Sequence, residues 1–355
     1  MNKLTLSKKW IFYGVNGLLA LLALVCLLLC RSVCTALPTL NAAETWAGES
    51  GQPFAQLACY LPNDKPVTQE QVWQFRQALD GKLTDAALEA PENGRLYTDA
   101  YAGFGTLKVT GDRGSAEVKV TGVGGDFFRF HPLFLRSGSY LTETDLMQDR
   151  VILDEELAWK LFGGMDLTGL TVTIGTADYY IAGVVSREDD RYSTLAYADG
   201  AGMFMSYSAL KQCSETVGIS CYEIVLPNPI TSFGKNLLQE NFPLNGGLLV
   251  ENSSRYSLGN LLQVIGDFGQ RSMGRNGIIY PYWENAVRLT EDYAALFLVL
   301  TVLFVTLPAV TLTITVVGRI RKLCKATAVT IKTKTMEGLE ARREEAWKAA
   351  NEKRK

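Results

Sequence analysis

The chain has 355 residues, 47% hydrophobic and 20% charged; that is enough apolar material for a core and excludes a disordered polymer. Its 32 Gly, 11 Pro and 7 Cys exclude a collagen-like or disulfide-framework chain, and one His argues against histidine-based metal or catalytic clusters. The net charge of -2 hides a partition: three basic residues precede Trp10, and 12 Lys/Arg against 5 Glu follow from Arg319, leaving 20 basic and 32 acidic residues between.

Those basic ends flank two apolar runs, Trp10–Cys30 and Ala295–Gly318, each free of charge. Both reach the roughly 20 residues a helix needs to cross the hydrocarbon of a bilayer. Asn16 is the strongly polar member of the first, and Pro308 interrupts the second; transmembrane helices accommodate such a Pro. The first run is longer than the apolar part of an ordinary secretory signal, so it reads as an uncleaved anchor. Lys8 and Lys9 before the first span and Arg319, Arg321 and Lys322 after the second set the topology by the positive-inside rule. Residues 1–9 and the basic tail 319–355 are expected in the cytoplasm, with 31–294 outside in a cell membrane. Cys26, Cys30 and Cys34 share one helical face, as a strip for packing against another helix.

The outer segment reads as α+β. Phe54–Tyr60 alternates as a strand and runs into Leu61-Pro62-Asn63; Thr68 and Gln71 then form a capping box before a helix carrying Val72, Phe75 and Leu79 on one face. Arg95–Tyr101 returns as a strand. The same order recurs in Ser220–Val225, Leu226-Pro227-Asn228, a helical stretch with Phe233, Leu237 and Leu238, and the strand Gly247–Val250. Two strand–helix–strand units of this kind form a layered α/β part. Between them, 103–216 is strand-rich. Hairpins are predicted around Gly111–Gly114 and Gly175–Asp178, and Val151–Leu153 leads into a helix at Asp154–Phe162 ended by Gly163-Gly164. Tyr256–Phe268 is amphipathic, and Tyr282–Asp292 runs without a breaker into the second span, a rigid connection that would transmit motion.

Catalytic signals are weak. No P-loop occurs, and Gly103-Phe104-Gly105 lacks the third glycine of a dinucleotide loop. His131, in Phe130-His131-Pro132, has no local nucleophile or carboxylate and is assigned to a surface loop. Asp154-Glu155-Glu156 sits where a helix begins and favours the positive dipole end, while Glu188-Asp189-Asp190 reads as a solvated turn. Neither has EF-hand spacing. No cofactor, metal or nucleic-acid partner is expected. Cys213 and Cys221 lie close enough in sequence to close a short loop by a disulfide on the oxidising side of a membrane. In the tail, Met336–Lys353 has a helix-forming composition. Leu339 and Trp347 on a narrow apolar edge are candidate docking residues for a cytoplasmic partner, against the alternative of a solvated helix held near anionic lipid.

Several motifs then occur in order: Thr121-Gly-Val-Gly-Gly-Asp-Phe-Phe128, Leu133–Gly138, Thr142–Asp145, Val151–Ala158, Leu161-Phe162-Gly163, Gly169 and Tyr180–Val185. Their succession resembles the MacB-like periplasmic core domain, the extracytoplasmic part of bacterial MacB/FtsX-type ABC transporter permeases. The resemblance is dense over 120–186 and looser over the rest of 40–280. It implies a porter-like part (about 50–102 and 217–280) with a β-rich sabre-like insertion (about 103–216), no active site, and coupling through membrane helices to a cytoplasmic ABC-type ATPase. Ser139 departs from the Arg often found after the motif's Gly. Members of the family continue after their second span with a coupling segment and two further spans, where this sequence enters a basic tail. That departure points to a half-permease needing a further permease subunit, an accessory protein or a degenerate relative.

The sequence therefore predicts a non-catalytic membrane subunit of an ABC-type export or mechanotransmission complex, with ATP hydrolysis in a partner. The alternative is an extracellular sensor, or an envelope scaffold, that presents a peptide or envelope component to a partner complex.

Overall fold

Residues 2–48, 52–88, 95–197, 202–271, 274–275 and 277–352 are described by the computed structural model. They separate into two compact units, Arg31–Ala295 and the pair of segments Met1–Cys30 and Leu296–Lys355.

The chain opens with α1 (Asn2–Cys34). In the outer unit, α2 (Ala42–Ala47) turns Ala42, Ala43 and Trp46 inward, and β1 (Phe54–Tyr60) follows. Helix α3 (Gln69–Asp85) starts on the predicted capping box: Gln71 N donates to Thr68 Oγ1 at 3.3 Å, and Thr68 N donates to Gln71 Oε1 at 3.0 Å. Its Val72, Phe75, Leu79 and Leu83 are buried, one helical face repeated over about three turns. Strands β2 (Thr98–Gly111) and β3 (Gly114–Gly125) form a long hairpin, paired from Ala100 opposite Gly125 to Gly111 opposite Gly114. Then come α4 (Phe127–Phe130), β4 (Phe134–Gly138), β5 (Arg150–Asp154) and α5 (Glu155–Leu161). They are followed by β6 (Thr171–Ile174), β7 (Ala177–Ser186), α6 (Arg191–Ala196), β8 (Gly202–Ser206) and α7 (Tyr207–Cys213). The last outer elements are β9 (Cys221–Pro227), α8 (Phe233–Asn241), β10 (Leu248–Glu251), α9 (Leu258–Asp267) and the small hairpin β11 (Gly274–Arg275) with β12 (Ile278–Ile279). Helix α10 (Tyr282–Glu352) closes the chain.

One sheet carries the outer unit, in the order β10-β1-β9-β2-β3-β8-β5-β7-β4, with β6 pairing β2 and β7. Strand β1 is antiparallel to both β10 and β9, and β9 is antiparallel to β2. Each strand–helix–strand unit is therefore split by a strand of the other: β9 lies between β1 and β2, and β1 lies between β9 and β10. The sequence echo has a structural meaning here. Tyr60 stands opposite Cys221 and Cys59 opposite Tyr222, so each large ring faces a small thiol across the strands. The paired Leu-Pro-Asn segments are tied reciprocally: Leu61 N donates to Ser220 O and Asn228 N to Pro53 O, each at 2.8 Å.

The sabre-like insertion is not set off by a linker. The boundary drawn at 102/103 falls inside β2, which pairs with β9 over its first residues and with β3 from Ala100 to Gly111. A 14-residue strand extends the porter-like sheet directly into the inserted one.

Alternate residues along the strands feed two apolar layers, one on each sheet face. One holds Leu57, Phe75, Tyr222 and Leu210; the other holds Tyr60, Phe127, Phe130, Ile152 and Trp283. This alternation overturns the predicted Cys213–Cys221 disulfide. Both are thiols: Cys221 lies with Tyr60 and Trp283, whereas Cys213, at the end of α7, packs against the opposite layer with its sulfur 3.3 Å from the Tyr179 hydroxyl. The sheet stands between them.

In the other unit, a polar contact joins α1 and the later part of α10, Thr311 Oγ1 donating to Asn16 Oδ1 at 2.9 Å. Interhelical bonds of this kind hold apolar helices together where water is absent. The remaining surface is apolar, with Leu18, Leu21, Leu303 and Ile314 exposed, and both helices are long and apolar enough to cross a membrane. Lys8 and Lys9 lie in α1; Arg319, Arg321 and Lys322 are exposed on α10. Leu339 and Trp347 are exposed as well. The helix expected over Met336–Lys353 is the last part of α10, which runs on without a break: Thr327, Thr330, Thr333 and Thr335 each donate to the carbonyl four residues back, and no Pro follows Pro308.

Candidate coupling site

The first turns of α10, Tyr282 to Asp292, are heavily bonded to the outer unit. Glu284 and Glu291 are seven residues apart, two helical turns, so both carboxylates project from one face. Arg255, in the turn before α9, reaches both. Its Nη2 and Nη1 donate to Glu284 at 2.5 and 2.9 Å, its Nε donates to Glu291 at 2.7 Å, and Nη1 also meets Asn252 Oδ1 at 2.8 Å. Arg255 is 4% exposed and Glu284 1%, so water supplies almost none of their solvation. Burial works against the guanidinium charge, yet Glu284 and Glu291 more than offset it and hold its pKa well above the ordinary arginine value. Tyr60 from β1 completes the cluster by donating to Glu284 at 2.9 Å; burial first, then the Glu284 charge, raise its phenol well above the usual range. Arg271, beyond α9, donates to the second Glu291 oxygen at 2.7 Å. Two arginines from the α9 segment thus clamp two glutamates of α10.

On another side of the same helix the contacts are aromatic. Trp283 lies 4.4 Å from the His131 ring and 5.6 Å from Phe127, centroid to centroid. Tyr282 stacks on Tyr197 at 4.3 Å and donates to Glu188 at 3.3 Å, and Tyr197 donates to the same carboxylate. Burial, followed by Glu188, pushes the Tyr282 phenol well above its ordinary pKa. Ala286 and Val287 pack with Leu37 and Ala196.

His131 is not in a surface loop. It is 1% exposed, at the end of α4, with Nε2 2.5 Å from Glu223 Oε2 and its ring between Phe127 and Trp283. Its Nδ1 has no hydrogen-bond partner among the described residues. The sequence missed this because Phe127, His131, Glu223 and Trp283 come from three distant segments. The acidic groups also have structural duties. Asp154 caps α5 by accepting from Leu157 N at 2.8 Å and holds Arg187 and Gly202 N, whereas Asp190 caps α6 through Tyr192 N and Ser193 N. Glu188 is half-buried under the two tyrosines rather than solvated. Among the described residues no group of His, Cys, Asp or Glu is placed to hold a metal ion.

Beside the start of α10 an open cleft of about 830 Å³ is walled by Tyr280, Tyr282, Tyr197 and Phe104, with Lys119 and the Asp154–Arg187 pair as its charged groups. It adjoins the clamp through Tyr282. Chemically, the site is suited to grip and orientation, with its buried ion pairs and stacked rings.

Residues 61–229 match the MacB-like periplasmic core domain family. That stretch is similar to a MacB-like periplasmic core domain. Among solved structures, the periplasmic region of MacB from Actinobacillus actinomycetemcomitans is similar at 15% identity with TM-score 0.42, covering 62% of this chain and 94% of that one. The extracellular domain of the noncanonic ABC-type transporter YknZ from Gram-positive bacteria is similar at 14% identity with TM-score 0.37, over 56% of this chain and 99% of that one. A domain of a putative permease protein from Porphyromonas gingivalis gives 15% identity and TM-score 0.32, over 60% and 99%. No curated protein matches the chain. The core domain spans β3, where the Thr121–Phe128 motif lies, and β7, where Tyr180–Val185 lies; these strands belong to the one sheet that the clamp fastens to α10. With its two candidate apolar helices, the chain is a membrane protein with an extracytoplasmic domain.

Proposed function

We propose that this protein is a non-catalytic subunit of an ABC-type export or mechanotransmission complex, whose core domain is moved through α10 by a cytoplasmic ATPase partner. The observation that carries the reading is the buried Arg255–Glu284–Glu291 clamp at the start of a helix that continues unbroken through 283–294. A helix held by buried charge pairs at one end passes displacement to the domain, whereas a flexible linker would absorb it. Both termini lie in the cytoplasm, and the basic tail, with Leu339 and Trp347, faces the ATPase or a further permease subunit. Purification of the full chain in mild detergent with identification of its co-purifying chains tests this. An ATPase together with a multi-span permease is the expected result; a chain that recruits neither overturns it.

A second reading, a sensor or binding module for a peptide or envelope component, is favoured by the cleft against Tyr282. There a ligand would touch the helix base directly. Retention of an envelope peptide by the purified chain, lost in Tyr197→Ala, would support this reading.

A further inference from the structure

Helix α9 carries more apolar surface than the domain covers. Leu261 and Val264 are buried against the outer unit, but Leu258, Leu262 and Ile265 form a second row at i, i+4 and i+7 that is exposed, at 62%, 56% and 37%. Phe268, in the turn that follows, is 63% exposed. Gln263 and Asp267 lie on the far side of the helix from the exposed row. An exposed stripe of Leu, Ile and Phe is what remains when a helix has a second apolar neighbour.

The attachment of α9 says which neighbour. Both its ends are fastened to the same turn of α10: Arg255 and Arg271 each hold one oxygen of Glu291 at 2.7 Å, and the hydroxyls of Tyr256 and Thr290 are 2.6 Å apart. Glu291 lies four residues before Ala295, where the apolar run begins, about 6 Å along a helix axis. An element pinned at both ends to this turn is one helical turn of chain from the start of the apolar run.

We propose that α9 lies in the bilayer interface, with Leu258, Leu262 and Ile265 among the lipid acyl chains and Phe268 beside them. The partner is the lipid surface itself. Its chemistry is that of an interfacial helix, apolar on the lipid side and polar on the other, with Tyr256 and Phe268 at the boundary. In this arrangement Glu291 ties three things at one depth: the lipid-seated helix, the helix leading to the span, and through Arg255 and Glu284 the domain. The proposal goes beyond the coupling role and does not depend on any ATPase partner.

Photo-crosslinking of the full chain in vesicles of mixed phosphatidylethanolamine and phosphatidylglycerol tests it. Leu262→p-benzoylphenylalanine and Gln263→p-benzoylphenylalanine place the probe on adjacent exposed positions of opposite faces. Protection of Cys59 from alkylation reports that both variants are folded. Lipid adducts are expected at 262 in about 10-fold excess over 263. Equal adducts at the two positions, no lipid adduct at 262, or crosslinking of 262 to a second copy of the chain would overturn the proposal.

Discussion

Arg255 illustrates how a buried charge becomes informative only with its partners. Removing it leaves Glu284, 1% exposed, with Tyr60 and no cation, and an uncompensated buried charge costs about 3–5 kcal/mol. Arg255→Ala is therefore expected to lower the unfolding free energy of the full chain by about that amount. The ion pair of Arg271 with Asp292 is more exposed, and Asp292→Asn should cost no more than about 1 kcal/mol. Denaturant titrations of the two variants in detergent, compared at equal m-value, would check the ratio. Cysteine reactivity gives a second residue-scale test. Burial, with the Glu223 charge behind it, raises the Cys59 and Cys221 thiols far above the ordinary cysteine value, so neither presents thiolate. Peptide mapping after alkylation should find both unmodified in the native chain and modified after denaturation, while the exposed Cys324 reacts in both conditions. A 213–221 disulfide would show instead as a linked peptide before reduction.

At the scale of single elements, local chemistry decides where helices begin and where strands must bend. Thr68 and Gln71 satisfy the first amides of α3 reciprocally, and Thr68→Ala should cost about 1 kcal/mol in a thermal or denaturant melt. Gly138, which ends β4 in the family-like Leu133–Gly138 motif, has φ +79°, and a Cβ there would lie 1.9 Å from the Ala182 carbonyl oxygen. Both the left-handed backbone and the backbone contact forbid a side chain, so Gly138→Ala should cost about 3 kcal/mol. The hairpins expected at Gly111–Gly114 and Gly175–Asp178 (the second closing one residue early, at Ala177), the start of α5 at Asp154 and its end at Gly163 were all legible, because each depends on residues adjacent in the chain. The helix over Met336–Lys353 was legible from composition, but its continuity with the helix before it was not. A composition typical of helix marks where a helix is favoured, but a boundary requires a breaker, and no Gly or Pro lies between Gly318 and Gly338.

For the whole molecule, the expected topology has a direct test. If both termini are cytoplasmic, a membrane-impermeant maleimide added to intact cells should leave Cys324 unlabelled, and permeabilisation should expose it; labelling from outside would reverse the orientation. Amide exchange through 283–294 should be as slow as in the sheet, because this segment is helical and its glutamates are buried in the clamp. Fast exchange there would remove the mechanical basis of the proposed coupling.

What the sequence determined by itself was everything set by short range or by composition: two uncharged runs of span length, basic ends, an acidic middle, capping signals, strand alternation and the order of the family motifs. The near-neutral total of -2 already contained the expected membrane layout once it was divided at the two apolar runs. Tertiary structure alone decided what depends on strand order and on the sheet's two faces. The interlocking of the two strand–helix–strand units put Cys59 opposite Tyr222, and the sheet separated Cys213 from Cys221. Folding also brought His131 to Glu223 across 92 positions and Tyr60 to Glu284 across 224. No local period encodes such distances. Buried charges find their partners only when the core has closed around them, because only there does the loss of water make each pairing obligatory.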